Sequence, residues 1–327
     1  MKRSKAWWWL VCSFVFLVFP VGAPAEEKYP RRPIEMVVGY GPGGINDVVA
    51  RIYTEALTKA LKSQVTLVNR PGGGGIQGAF YVSRARKDGY TLLSASTSGM
   101  IIVPIITPEA TFDTLKDFYP LGYLGDMAPQ VFAVRSDSPL KSFREMVEYA
   151  RKNPGKLKTA VGSIGTAPYC DLMILSAKAN VNIAVVPFKS GGESAVAILG
   201  GHVDMNAGSL GTLGPHIKAG TLRALAVTTD KRYAPFPDIP TTAEEGYPYV
   251  NYTGGIGLFA PAGLSQAAQR VLVPAVEKIV KQPEVMKRAY GADFMPLYKN
   301  PEQFRKFIES ERATWGKIYK DAGLAVR

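Results

Sequence analysis

Residues 34–61 read IEMVVGYGPGGINDVVARIYTEALTKAL, and the order of patterns in this stretch predicts the local fold. Residues 34–40 form an apolar, β-rich run, the glycines of 41–47 (GPGGIND) indicate a turn, and 48–61 repeat apolar residues at helical spacing. A helix that begins directly after such a turn leaves its first backbone N–H groups unpaired and carries positive charge at that end. The segment therefore predicts an anion-binding site at a strand–turn–helix junction.

The alternation of strand and helix patterns continues along most of the chain. The predicted strands lie at 34–40, 65–68, 91–94, 131–134, 159–161, 184–187, 203–206, 222–227 and 252–260. The predicted helices lie at 48–61, 76–85, 143–153, 172–179, 195–199, 266–281 and 301–321. A polar turn is predicted at 94–99, where the sequence reads SASTSG. This order predicts an α/β fold of two domains, each a mainly parallel sheet flanked by helices.

The N-terminus has the pattern of a secretory signal peptide over residues 1–25. Lys2, Arg3 and Lys5 precede an apolar run at 7–19, and small residues favour cleavage after Ala25. The apolar run is short for a membrane span, so an uncleaved anchor is the weaker alternative. The pattern predicts a protein that is exported to the bacterial periplasm and soluble there.

Composition argues against several classes of function. The formal net charge is +12, but the basic residues are scattered and no nucleic-acid-binding motif is present, so no nucleic-acid partner is expected. Removal of residues 1–25 would leave Cys170 as the only cysteine, a residue better explained by packing than by catalysis. His202 and His216 lack metal-ligand spacing, and GxSxG is absent. We therefore expect no metal, no cofactor and no enzymatic activity.

Four loops could bind a small anion in a cleft between the two domains. Loop 41–47 offers backbone amides next to two glycines, and loop 162–168 (GSIGTAP) repeats the arrangement with hydroxyl groups. The turn at 94–99 adds hydroxyls, and loop 189–192 adds a lysine. Such sites lie beyond the carboxyl ends of parallel strands. The residues predicted to bind ligand are Gly43, Gly44, Asn46, Asp47, Thr97, Ser98, Ser163, Gly165, Thr166, Tyr169, Lys189 and Gly191. Alternatively, Asn46 and Asp47 only cap their helix.

Many motifs, in order along nearly the whole chain after residue 25, resemble those of one transport family. They are YPRRPIEMVVGYGPGGIND, NRPGGGG, KDGYTLL, LKDFYPLGYL, NPGKLK, VPFKSGGESAVAILGGHVD, GPHIKAGTLRALAVTTDKR, FPDIPTTAEEGYP and GLFAPAG. Through them the chain resembles the extracytoplasmic solute receptors of tripartite tricarboxylate transporters, the TctC or Bug type. No single motif would identify the family, but the number, order and spacing of the motifs together are specific to it.

The resemblance implies a two-domain periplasmic-binding-protein (Venus-flytrap) fold that closes on a small carboxylate. It also implies delivery of this ligand to a separate membrane complex of the tripartite tricarboxylate type, and we expect the receptor to be a monomer. In the family, loops that match 43–47 and 162–169 hold one carboxylate through backbone amides, hydroxyls and water. We expect domain 1 to comprise 26–127 and 253–327, and domain 2 to comprise 128–252.

The chain also departs from the family pattern. The first loop commonly reads PGGGTD, and here Ile45 and Asn46 replace the Gly-Thr pair. In the second loop Ala167, Pro168 and Asp171 replace the usual Gly, Ser and His, so a hydroxyl is lost and an acidic group is gained. Tyr169 is the candidate for the missing donor, which makes an aromatic or less charged ligand plausible. Two other functions stay open: a receptor that signals, and an exported enzyme acting on an organic acid.

Overall fold

The structure, a computed structural model, describes residues 29–325, so the predicted signal peptide lies outside the described residues. Within this range the strands are β1 (Ile34–Val38), β2 (Val65–Asn69), β3 (Thr91–Ser96), β4 (Phe118–Met127), β5 (Gln130–Arg135), β6 (Lys158–Val161), β7 (Ala184–Pro187), β8 (Met205–Ser209), β9 (Leu222–Val227), β10 (Gly255–Pro261) and β11 (Phe294–Lys299). The helices are α1 (Ile45–Leu61), α2 (Ile76–Ser83), α3 (Val103–Ile106), α4 (Thr114–Asp117), α5 (Phe143–Lys152), α6 (Ala167–Ala179), α7 (Gly191–Leu199), α8 (Leu210–Lys218), α9 (Gln266–Val280), α10 (Pro283–Gly291) and α11 (Pro301–Asp321). Short helical turns at Gly73–Gly75 and Ser98–Ile102 precede α2 and α3.

The strands form two sheets, which define lobe 1 and lobe 2. Lobe 1 contains the order β11-β4-β10-β3-β1-β2, and lobe 2 contains the order β7-β6-β8-β5-β9. The chain leaves lobe 1 after β4 through residues 128–129 and returns from lobe 2 through residues 228–254. Lobe 1 is therefore built from two separate stretches of chain. The exact domain boundaries stay a prediction, because strand membership alone does not fix them.

Both sheets are mixed, whereas the sequence predicts mainly parallel sheets. Among the described strands, β1 is parallel to β2 and β3, and β6 is parallel to β7 and β8. In contrast, β5 and β10 are antiparallel to both of their neighbours. In each lobe the parallel strands end at the sheet edge that faces the other lobe. β5 enters lobe 2 from lobe 1, and β10 enters lobe 1 from lobe 2, so each of these two strands begins at that edge. The reversed direction thus follows from the two crossings.

The predicted polar turn at 94–99 is wrong. β3 continues to Ser96, and a helical segment begins at Ser98 and leads into α3. Met100, Ile101 and Ile102 of this segment are at most 2% exposed and join the lobe 1 core. Burial of this apolar run stabilises the segment and leaves Ser98 beside the carboxyl end of β3.

Each lobe has its own packing. Alternate residues of β5 face opposite sides of the lobe 2 sheet, with Phe132 in one core cluster and Val131 in the other. In lobe 1, α11 begins at a capping box and buries Phe304, Ile308 and Trp315 against the sheet, as their helical spacing indicates. These cores fix the strand ends from which the loops of the cleft extend.

Candidate functional site

A small cavity lies between the lobes, at the carboxyl ends of their parallel strands. Its volume is about 50 Å³. It is lined by Tyr40, Gly44, Ile45, Asn46, Ser96, Ser98, Met127, Gln130, Gly162, Thr166, Ala167, Pro168, Ser190, Gly191, Gly208, Ser209 and Thr212. Four of these residues are the N-caps of α1, α6, α7 and α8. Four helices therefore begin at one cavity, and their dipoles place positive charge there.

Two of the four helices, α1 and α6, leave their N-termini open. Gly44 has no side chain to cap α1, and the Thr166 hydroxyl donates to the Ser163 carbonyl at 2.8 Å instead of capping α6. Within residues 29–325 the amide N–H groups of Ile45 and Asn46, and of Ala167 in α6, have no acceptor. Since α1 belongs to lobe 1 and α6 to lobe 2, unpaired donors face the cavity from both sides.

The N-termini of α7 and α8 are capped more completely. The Ser190 Oγ accepts from the Glu193 amide at 3.2 Å, and the Ser209 Oγ accepts from the Gly211 amide at 3.1 Å. The first amide of α8 also donates to the Pro129 carbonyl at 3.0 Å. Both helices contribute their dipoles. α8 offers fewer free donors than α1 does, whereas within residues 29–325 the amides of Gly191 and Gly192 at the start of α7 have no acceptor.

Asp47 organises the first turn rather than lining the cavity. Its Oδ2 accepts from the Gly43 amide at 3.1 Å and from Arg51 Nε at 2.9 Å, and its Oδ1 accepts from Asn69 Nδ2 at 2.9 Å. Burial alone would raise the pKa of Asp47, but the hydrogen bonds from Arg51, Asn69 and Gly43 outweigh it and hold the pKa below its usual range. The ionised carboxylate therefore fixes the turn whose amides face the cavity.

The lobes touch across the cleft through backbone atoms. The Gly41 amide donates to the Lys189 carbonyl at 2.8 Å, and a Cβ at Gly41 would lie 2.8 Å from that same oxygen. Gly74, at φ +70°, lies so close to the Ile164 carbonyl that a side chain would overlap it. The cleft is thus closed over the cavity, and glycines permit this close approach.

A chain of hydroxyl groups forms one wall of the cavity. The Tyr40 hydroxyl donates to the Gly74 carbonyl at 3.0 Å and shares a hydrogen bond with Ser96 Oγ at 2.8 Å. Ser96 Oγ in turn lies 3.1 Å from Ser98 Oγ. Burial raises the pKa of Tyr40, so this wall stays neutral at physiological pH.

No lysine, arginine, histidine, aspartate or glutamate of the described chain lines the cavity. Lys189 is exposed, and its backbone rather than its ammonium group meets lobe 1. The polar lining consists of backbone amides, hydroxyls and the side-chain amides of Asn46 and Gln130. A negative charge in the cavity would be stabilised by helix dipoles and by amide and hydroxyl donors, without a charged side chain from residues 29–325.

The structure brings only part of the predicted set to the cavity. The predicted residues that line it are Gly44, Asn46, Ser98, Thr166 and Gly191. The predicted residues that do not line it are Gly43, Asp47, Thr97, Ser163, Gly165, Tyr169 and Lys189.

Several of the residues outside the lining build the frame of the site. Thr97 Oγ1 lies 3.0 Å from the Tyr252 hydroxyl and accepts from the Gly255 amide at 2.9 Å. Gly165, at φ +74°, packs directly on Val103 of lobe 1. Tyr169 is half-buried between the lobes' apolar clusters, and burial raises its pKa. These groups position the loops instead of facing the cavity.

Sequence reasoning missed the contribution of β8 and α8. Gly208, Ser209 and Thr212 line the cavity, and Ser209 is the N-cap of α8. The stretch 205–212, MNAGSLGT, has the same order of apolar run, small residues and helix start as the other junctions. This repeated order was the sequence signal that could have predicted a contribution of the β8–α8 junction to the cavity.

Asp171, which replaces the histidine usual in the second loop, does not reach the cavity. It is fully buried, and its Oδ1 accepts from the Tyr252 amide at 3.1 Å. Burial raises its pKa well above the usual range, and the single hydrogen bond offsets only part of this effect. Asp171 therefore joins α6 to the segment that returns to lobe 1 and adds no charge to the lining.

Other chemistry is not apparent in the described part of the chain. Cys170 is buried outside the cavity lining, and burial raises the pKa of its thiol. Residues 29–325 contain no cluster of three or more histidine, cysteine or acidic side chains placed to hold a metal ion. Over the same residues, no helix has the length and apolar character needed to span a bilayer.

Comparison with known proteins identifies relatives along nearly the whole chain. A family model described as "Tripartite tricarboxylate transporter family receptor" matches residues 49–324. Protein BugT from Bordetella pertussis is 29% identical over 309 residues, which cover 94% of each chain. The fold is shared with the periplasmic binding protein BugD, at a TM-score of 0.83 and 29% identity over 91% of this chain and 99% of that one. The two lobes thus form the fold of periplasmic binding proteins.

Two further structures are recorded with bound acids. Rpa4515 from R. palustris with adipate has a TM-score of 0.83 and 26% identity, over 91% of this chain and 99% of that one. MatC from Rhodopseudomonas palustris with bound malate has a TM-score of 0.84 and 26% identity, over 89% and 99% respectively.

Proposed function

The chain belongs to the tripartite tricarboxylate transporter receptor family, and from this we propose that it captures a small organic carboxylate between its lobes and delivers it to a membrane transporter. The observation that carries the proposal is the pair of open helix N-termini, α1 from lobe 1 and α6 from lobe 2, on a cavity that no charged side chain of the described residues lines. Carboxylates bound to two relatives of the same fold, adipate and malate, support this ligand class.

We assign the predicted site residues to two roles. Gly44, Asn46, Ser98, Thr166 and Gly191 line the cavity and would contact the ligand through amides and hydroxyls. The others hold the loops in place and are Gly43, Asp47, Thr97, Ser163, Gly165, Tyr169 and Lys189. A carboxylate that accepts from the first amides of both α1 and α6 would interact with both lobes at once.

Such a bridge explains why ligand would favour the closed state. Only the closed state places both sets of donors around one anion, so the ligand binds it more tightly than an open state. The interlobe hydrogen bond from Gly41 to Lys189 adds to closure without a side chain.

The proposal places the protein in the periplasm as a monomer. The signal-like residues 1–25 support export, and the family supports a membrane partner of the tripartite tricarboxylate type. We also propose that the ligand leaves unchanged, since the hydroxyls of the cavity lining have no lysine, histidine or carboxylate from residues 29–325 in that lining to activate one as a nucleophile.

Calorimetry with a panel of acids tests this function. Acetate, butyrate, succinate, malate, adipate and citrate are titrated into the purified protein, with the corresponding primary amides as neutral controls. We expect at least one acid to bind and its amide to bind far more weakly, because the dipoles favour negative charge. Mass spectrometry of the recovered acid checks that it is unaltered. Equal binding of acids and amides, or no binding of any acid, would contradict the proposal.

A further inference from the structure

The Asn46 side chain is buried in the cavity wall without a hydrogen-bond partner. Asn46 is 7% exposed and lines the cavity, and its Oδ1 has no partner within the described chain. An unpaired buried amide oxygen costs free energy, so such a group needs a partner or a functional reason. A ligand in the cavity would supply that partner.

The partner must lie close to the carboxylate of the ligand. Asn46 contributes both a free backbone N–H, suited to a carboxylate, and a side-chain oxygen suited to a donor. Both groups belong to one residue in the first turn of α1. A ligand that satisfies both therefore carries its donor on, or next to, the carbon attached to the carboxylate.

The size of the cavity favours a short ligand. At about 50 Å³ the cavity is far smaller than the several hundred Å³ typical of pockets for drug-sized molecules. Backbone contacts between the lobes, at Gly41 and Gly74, fix the lobe separation in this closed state, so a larger ligand would have to break them.

The charge of the cavity favours a hydroxyl over an ammonium group. No acidic side chain from residues 29–325 lines the cavity. Asp47 is bound to Arg51 and Asn69, and Asp171 accepts from the Tyr252 amide. An ammonium beside two open helix N-termini would lack a compensating charge. A hydroxyl is neutral, and it can donate to the amide oxygen or accept from the amide nitrogen.

We propose that the ligand is a short 2-hydroxycarboxylate and that Asn46 selects it by hydrogen bonding to its hydroxyl group. This inference rests on the proposed function, because it assumes that the open N-termini of α1 and α6 hold the carboxylate. It adds a residue that distinguishes hydroxy acids from plain acids and from amino acids.

Calorimetry with matched acids tests the inference. The probes are lactate, propionate and L-alanine, which share a three-carbon skeleton, and malate with succinate. For the wild type we expect the hydroxy acid of each set to bind about tenfold more tightly than its partners. In Asn46→Leu, which keeps the branched shape of the side chain but has no hydrogen-bonding group, we expect the members of each set to bind within about twofold of each other.

A second variant and a control keep the result interpretable. Asn46→Ala should lose the preference in the same way, which covers the case in which Asn46→Leu fails to fold. The matched control is Asn206→Leu, because Asn206 is another buried amide without a partner but lies outside the cavity lining. This control should keep the preference for the hydroxy acid.

The outcomes separate this inference from the function on which it rests. Equal binding of lactate and propionate by the wild type, tighter binding of L-alanine, or a preference that survives in both Asn46 variants would overturn the inference while leaving a carboxylate receptor. Failure of every acid to bind the wild type would instead overturn the proposed function, and the inference with it.

Discussion

At the scale of single residues, Asp47 contributes to the site through the turn that it holds. Its carboxylate joins the Gly43 amide, Arg51 and Asn69, and it is nearly inaccessible to solvent. We expect Asp47→Ala to lower the free energy of unfolding by about 1–3 kcal/mol, because it leaves buried donors unpaired, and to weaken ligand binding as well. Urea unfolding and calorimetry measure the two effects.

A matched change on the other side of this ion pair provides the control. Arg51 is half-exposed, and its removal leaves Asp47 bonded to Asn69 and Gly43, so Arg51→Ala should have the smaller effect on both quantities. Loss of binding in Asp47→Ala with unchanged stability would instead indicate direct contact between Asp47 and the ligand.

The buried carboxyl of Asp171 predicts a dependence of stability on pH. Its pKa is raised in the folded protein by burial beside Tyr252, Cys170 and Tyr319. Above about pH 4 an unfolded aspartate loses its proton while the folded one keeps it. The unfolded state then binds fewer protons, so stability falls as pH rises until the pKa of the folded state is reached. Below about pH 4 this contribution to stability is fully present.

The variant Asp171→Asn should remove that dependence. Its stability relative to the wild type should rise by about 1.4 kcal/mol for each pH unit above about pH 4, up to the folded-state pKa. Urea unfolding between pH 4 and 8 measures the difference, and the exposed Asp238→Asn serves as the control. A difference that does not change with pH would show that Asp171 is ionised in the folded protein.

At the scale of secondary-structure elements, removing the first amide N–H group of α1, that of Ile45, tests whether this helix N-terminus binds the ligand. Proline is tolerated at the first helical position and lacks an N–H, and the extended backbone of Gly44, with φ −87° and ψ 166°, suits the residue before a proline. Ile45→Pro should therefore fold normally and bind a carboxylate about 10- to 100-fold more weakly, as expected for a lost hydrogen bond to a charged group. Calorimetry measures the change.

The equivalent substitution at another helix controls for the presence of proline. Gln266 is the exposed first residue of α9 and does not line the cavity, so Gln266→Pro should leave affinity unchanged. Full affinity in Ile45→Pro would show that the N-terminus of α1 does not hold the ligand.

Periodicity located α1 and α6, but it began them at 48 and 172 instead of Ile45 and Ala167. Glycine and proline in these loops indicate turns, yet proline suits a first helical turn and glycine suits an N-cap. The missed residues are therefore the ones that place free amides at the cavity.

β4 escaped prediction for a different reason. It contains Pro120, Gly122 and Gly125, which disfavour a strand locally. Burial between β10 and β11 overrides that preference, and the pairing with β10 has irregular register near these residues. Local sequence could not reveal this, because both partners lie more than a hundred residues later in the chain.

At the scale of the whole molecule, only the family resemblance predicted that the two lobes meet with their cleft loops opposite each other. Periodicity predicts strand–turn–helix junctions but not which of them meet, since that depends on how the two crossings orient the lobes. The contact of Gly41 with Lys189, and of Gly74 with Ile164, has no signature beyond glycine itself.

Closure itself can be tested at Gly41. Its backbone does not require a positive φ, but an alanine Cβ would lie 2.8 Å from the Lys189 carbonyl oxygen. We expect Gly41→Ala to fold, to stay more open with ligand present, and to bind more weakly. Small-angle scattering measures the radius of gyration with and without ligand, alongside calorimetry.

Gly291→Ala is the matched control, because a Cβ at Gly291 meets no atom within 4 Å and its φ is not positive. It should compact on binding ligand as the wild type does. Equal compaction of Gly41→Ala would show that the lobes do not need this contact to close.

The double crossing of the chain also sets an order of assembly. β10 is inserted between β3 and β4, so these two strands remain unpaired to each other until residues 255–261 have been made. Lobe 2, in contrast, takes all its strands from residues 130–227. As the polypeptide emerges from its N-terminus, lobe 2 can therefore complete its sheet before lobe 1 does. The strands of lobe 1 that are made first, β1 to β4, therefore remain an incomplete sheet until β10 has been made.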